Sequence, residues 1–106
     1  MKVSEVMSEW MDVVSQEHGR RVGDEEFGKL LVEGLVNINP FGRVTILQWR
    51  RGTHEPATDM LLDLYAYYYG QPDWRFYWAC DMLKAKRPEI FEDGLIALPT
   101  TKLASA

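Results

Sequence analysis

Arg43, Gln48 and Arg51 fall on one arc of a predicted helix, with Val44 and Leu47 between them. A guanidinium donates to the O6 and N7 edge of guanine, a carboxamide pairs with N6 and N7 of adenine, and an aliphatic side chain meets a thymine methyl. That mixture suits the major groove of a duplex. The opposite arc holds Phe41, Thr45, Ile46 and Trp49, which is the side a core would keep. The competing reading buries Val44 and Leu47 and leaves the arginines as solvated surface.

The elements that must position this arc follow from the flanking residues. Asn39 before Pro40 is a favourable cap followed by a proline at the first helical position, so the helix is expected over residues 40–51. Gly52 is its expected left-handed stop. A loop over residues 53–57 leads to a helix over 58–69, whose Leu61, Leu64, Tyr65 and Tyr68 share a core face. Upstream, Val3, Val6, Met7, Trp10 and Val14 recur at helical spacing until Gly19. A second helix is expected from Asp24, which can cap it, with Glu25 and Glu26 suited to the positive end of its dipole. Phe27, Leu30, Leu31 and Leu35 form its apolar stripe, and Gly28 and Gly34 permit close approach by another helix. Downstream, Gln71-Pro72-Asp73 starts a fifth helix with Trp74, Tyr77 and Trp78 on one side and Phe76, Ala79, Cys80 and Leu83 on others. Coverage that wide exceeds what one small core takes up, which makes this helix a surface for self-association. Pro88 ends it; residues 89–93 form one more turn, 95–99 read as extended and 100–106 as disordered.

At 106 residues and 12.3 kDa the chain is sized for one core. The fold expected is all-α: a compact five-helix domain over residues 1–94, with an extended or disordered tail over 95–106. No apolar run reaches the length of a membrane span, and Met1-Lys2-Val3-Ser4 does not open a secretory signal, so the expected location is cytoplasmic. The single cysteine, Cys80, excludes an intrachain disulfide and a thiolate-rich zinc site. A net charge of −4 opposes a nucleic-acid partner at first sight. Its distribution reverses that locally. Residues 1–40 hold four basic and eight acidic side chains and residues 58–106 five and seven, whereas residues 41–57 hold three arginines against Glu55. The body is acidic and one edge is basic.

The register Ile46, Trp49, Gly52, Pro56, then Leu61, Leu62 and Leu64, with Tyr68 where an apolar residue is usual, resembles the helix-turn-helix family of phage lambda repressor and Cro, also called the xenobiotic-response-element family. The resemblance covers about a quarter of the chain closely. It implies that Arg43, Val44 and Gln48 face bases, with Leu47 and Arg51 at the margin, that Thr53 and His54 approach phosphate, and that Ile46, Trp49, Leu61 and Leu64 brace the reading helix; Arg50 and Arg51 are expected to add phosphate attraction. Two features depart from the family. The chain from the second helix to Arg43 is several residues longer than the family's tight turn, and the second helix starts on Asp24, Glu25 and Glu26 where the family faces phosphate. Arg20 and Arg21, just upstream, supply positive charge there.

Other chemistries find less support. His18 and His54 have no companion ligands, so no metal is expected, and His54-Glu55 has no nucleophile beside it. No glycine-rich phosphate cradle is present, and neither a cofactor nor an enzyme activity is expected. Tyr65, Tyr67, Tyr68 and Tyr69 with Trp74 and Trp78 could stack single-stranded bases, but their helical positions favour core or interface. The expectation is therefore a sequence-specific, double-stranded-DNA-binding regulator of phage or mobile-element type, a homodimer through Trp74, Tyr77 and Trp78, with no membrane partner. The alternative keeps the scaffold and binds another protein as an inhibitor or adaptor.

Overall fold

The apolar spacing of the first segment produces α1, Val3–His18, which buries Val3, Val6, Met7, Met11 and Val14 along one stripe. The computed structural model describes residues 2–89, and every regular element among them is an α-helix. After α1 come α2 (Asp24–Leu30), α3 (Arg43–Arg51), α4 (Thr58–Gly70) and α5 (Trp74–Lys86). The protein is all-α. None of these helices is long and apolar enough to cross a membrane. Residues 95–106, read from sequence as a tail, lie outside the described residues, as does most of the turn expected over 89–93.

The chain divides into two compact units, one spanning Val3–Glu55 and the other beginning at Pro56. In the first, α3 packs against both α1 and α2. Gly19 closes α1 in the left-handed conformation, as its place in the sequence predicts. Val22 is buried just beyond, and its N–H donates to the Ser15 hydroxyl at 2.9 Å.

α2 departs from expectation at both ends. Its cap is Gly23, which makes no side-chain bond to the helix, and Asp24 is the first helical residue. Asp24 does not cap because its carboxylate is bound elsewhere, to Arg50. At the other end the helix tightens into three-residue turns, with the N–H groups of Val32, Glu33 and Leu35 donating to the carbonyls of Lys29, Leu30 and Val32. Phe27, Leu31 and Val32 are buried, whereas Leu30 and Leu35 are only half-buried.

α3 begins at Arg43, three residues later than the Asn39-Pro40 signal predicts, with Gly42 at its cap. The cause is a tertiary contact. The Phe41 N–H donates to the Gly28 carbonyl at 3.4 Å, and a Cβ built on Gly28 would stand 2.0 Å from the Phe41 carbonyl oxygen. The backbone at Phe41 is thus held flat against α2, where it cannot turn with α3. Gly28 does permit a close approach, but by this loop strand. Gly34 has open space around it and instead serves a left-handed turn, with φ of 81°. Gly52 ends α3 in the left-handed region as expected.

The second unit is built on α4 packed against α5. Leu61, Leu64, Tyr65 and Tyr68 are buried on α4, all four as the spacing predicts. The Asp73 carboxylate caps α5 by accepting from the Arg75 N–H at 2.9 Å. On α5, Trp78, Ala79, Met82 and Leu83 are buried. The Lys86 ammonium donates to the Pro56 carbonyl, joining the end of α5 to the start of this unit.

Candidate nucleic-acid interface

α3 is nine residues long, and the inner side of its surface is settled by two side chains: Ile46 is fully buried and Trp49 nearly so. Trp49 meets the Phe41 ring at a centroid distance of 5.1 Å in a tilted arrangement, a geometry that adds to simple burial. At its end, the Gly52 N–H donates to the Trp49 carbonyl, and the Thr53 and His54 N–H groups converge on the Gln48 carbonyl. The Thr53 hydroxyl donates to that same carbonyl at 3.3 Å. Thr53 therefore closes the helix, and His54 stands exposed beside it.

The outer side is different. Arg43, Val44 and Arg51 are exposed and Leu47 and Gln48 half-buried, all within about 140° of the helix circumference at 3.6 residues per turn. Val44 is 58% exposed. An aliphatic side chain that open, between two arginines, has no packing reason to be there.

The first unit contains five arginines, and their partners divide them. Arg20 forms a two-pronged ion pair with Glu26, which holds the Glu26 carboxyl below its ordinary range and the guanidinium above its own. Arg21 reaches Asp12 at 3.1 Å. Arg50 grips Asp24 through Nε and Nη2, both at 3.0 Å, and this pair is the most sheltered of the three. Its hydrogen bond to Asp24 raises the Arg50 pKa above the ordinary guanidinium value. A planar fork on a carboxylate is the strong geometry for such a pair. Arg43 and Arg51 have no carboxylate partner among the described residues. The two arginines left open are the two that flank the outer arc of α3.

Arg20, Arg21 and Arg50, expected from sequence near phosphate, each bind an acid of the same unit instead. The Asp24–Arg50 pair has no signature in local spacing, because the partners are 26 residues apart. The acidic start of α2 is the signal that was visible, and it has a structural duty: it ties the start of α2 to the end of α3.

The residues read as an association surface separate on α5. Trp78 is fully buried and belongs to the core, Trp74 is half-buried, and Tyr77 is 58% exposed. Tyr77 stands edge-on to Phe76 at 5.4 Å, and Phe76 continues inward to Tyr65 at 5.0 Å. Tyr69, at 5.9 Å from Phe76, joins the same aromatic run. The neighbouring Arg75 is tied to Asp73 and lies over the Tyr68 ring at 5.1 Å. No group of three or more metal-ligating side chains is present among the described residues. Compared with models of known protein families, with curated proteins and with solved structures, the chain matches none.

Proposed function

We propose that this protein binds double-stranded DNA sequence-specifically through the outer arc of α3 and acts as a transcriptional regulator of the lambda repressor and Cro kind. One observation carries the reading: Arg43 and Arg51, without a carboxylate partner among the described residues, bracket exposed Val44 and half-exposed Gln48, while every other arginine of that unit is held by a carboxylate. Arg43 and Gln48 supply hydrogen bonds to base edges, Val44 and Leu47 apolar contact with thymine methyls, and Arg51 phosphate attraction. Binding occludes an operator. Two-fold pairing through the exposed aromatics of α5, Tyr77 foremost, suits partly palindromic operators, whose half-sites lie about one DNA turn apart.

The test is a fluorescence-anisotropy titration of wild type, Arg43→Ala and Arg51→Ala against duplexes selected by the wild type from a randomised pool. Arg43→Ala is expected to flatten base preference, at about 1–3 kcal/mol of lost discrimination. Arg51→Ala is expected to weaken all duplexes alike and lower the salt slope by about one. If the wild type binds no duplex at low salt, the reading falls. The acidic body and the exposed α5 aromatics would then favour the scaffold as a protein-binding module.

A further inference from the structure

The connection between α2 and α3 takes no part in the proposed contact of α3 with DNA. Its residues 34–42, Gly-Leu-Val-Asn-Ile-Asn-Pro-Phe-Gly, include no charged side chain in a protein where charged residues make up 26%. Its Gly, Asn and Pro residues are those of a surface turn, and Val36 is 74% exposed, with Asn37 and Asn39 exposed as well. Neither asparagine side chain has a hydrogen-bond partner among the described residues. This is an open surface with unspent donors and acceptors and one large aliphatic tip.

Its path is fixed from both ends. Leu35 is tied back to Val32 at 3.0 Å, and left-handed residues at Gly34 and Asn37, the latter with φ of 66°, set the two bends. At the far end Phe41 is pinned to Gly28 through its backbone and to Trp49 through its ring. Between them Ile38 and Pro40 line a shallow groove whose other walls include Leu30, Glu26, Lys29 and Glu33. Ile38 is half-buried, whereas Asn37 and Asn39 on either side of it are exposed. Asn39 precedes Arg43 by four residues, so the two backbones lie within about 14 Å.

We propose that residues 36–39 are a second DNA-reading element, an uncharged finger that contacts base edges beside the stretch met by α3. Asparagine carboxamides pair with N6 and N7 of adenine, and an exposed valine meets thymine methyls. With no cation in the finger, it adds discrimination and leaves counterion release untouched. This inference rests on the DNA-binding reading of α3.

The experiment repeats duplex selection from a randomised pool with the full-length wild type, Arg43→Ala, and a triple variant Val36→Ala/Asn37→Gly/Asn39→Ala. Glycine at 37 keeps the left-handed bend accessible, and thermal unfolding checks that the variant folds as wild type does. The triple variant is expected to lose preference at positions flanking the Arg43-dependent ones, to bind the wild-type duplex about fivefold or more weakly, and to keep the wild-type salt slope. If wild type selects a sequence and Arg43→Ala blurs it, but the triple variant selects the same sequence with the same affinity, the finger is overturned and the α3 reading survives. If wild type selects nothing, both fall.

Discussion

α3 and α5 each hold one side in the core of their own unit, and they differ in what the other side offers. α3 buries Ile46 and Trp49 and leaves Arg43, Val44 and Arg51 open. α5 buries Trp78, Ala79, Met82 and Leu83 and leaves Tyr77 open, with Arg75 already neutralised by Asp73. Unpaired cations recruit an anionic partner, and their hold weakens with salt. An open aromatic whose neighbouring charge is spent recruits an apolar partner, and its hold barely responds to salt. On the proposed reading, the two surfaces would respond in opposite ways to ionic strength.

The comparison is broken most completely by removing the anchor of α3. Trp49→Ala deletes a nearly buried indole packed at a tilt against Phe41 and is expected to cost about 3–5 kcal/mol of stability. Urea unfolding followed by circular dichroism measures it; a loss under 1 kcal/mol would mean that the indole anchors nothing.

A smaller loss is expected from Gly28→Ala, whose methyl would collide with the Phe41 carbonyl. Overpacking of this kind costs about 1–3 kcal/mol. The same change at Gly34 should cost less, because only its positive φ is strained and the space around it is open. Equal melting temperatures for the two variants would contradict the close approach.

On the α5 side, Tyr77→Ser is expected to leave the melting temperature within a few degrees of wild type while shifting any self-association toward monomer in sedimentation-velocity runs. Trp78→Ala should instead unfold the unit, since that side chain is fully buried. Association that is unchanged by Tyr77→Ser but reversed by added salt would transfer the dimer surface away from the aromatics.

The smallest effect concerns Cys80, whose thiol burial pushes up to about 11. Its folded-state pKa lies above the unfolded value, so the stability it contributes is fully present below about pH 8.5 and is lost as pH rises toward 11. Alkylation by iodoacetamide at pH 8 should be slow in the native protein and fast in urea. Rapid native labelling would place the thiol in a more open setting than the α5 packing gives it.

These regions also differ in how far they could be read from sequence. The buried stripe of α4, the Asp73 start of α5 and the Gly52 stop of α3 are set by residues within a turn or two of each other, and each appears where local spacing puts it. The start of α3 is set by Phe41 meeting Gly28, a contact between residues on either side of a loop, and it overrides a good local signal at Asn39-Pro40. Asp24 looked like a cap for the same reason: nothing near it in the chain announces Arg50. On the candidate interface, helical periodicity was enough to find which residues share the outer arc of α3. Which arginines remain available there depends on carboxylates elsewhere in the unit, and that sorting is tertiary.

The Asp24–Arg50 fork has an evolutionary consequence. Losing either partner leaves a sheltered charge without its counterpart, so substitutions at the two positions should be inherited together, as a swap of sign or a joint loss. Positions 20 and 26, whose pair is well exposed, should drift more independently. A diverged chain that keeps an acid and an arginine 26 residues apart, with a glycine at the place of Gly28 between them, carries a signature of this unit's architecture even where the rest of its sequence has changed.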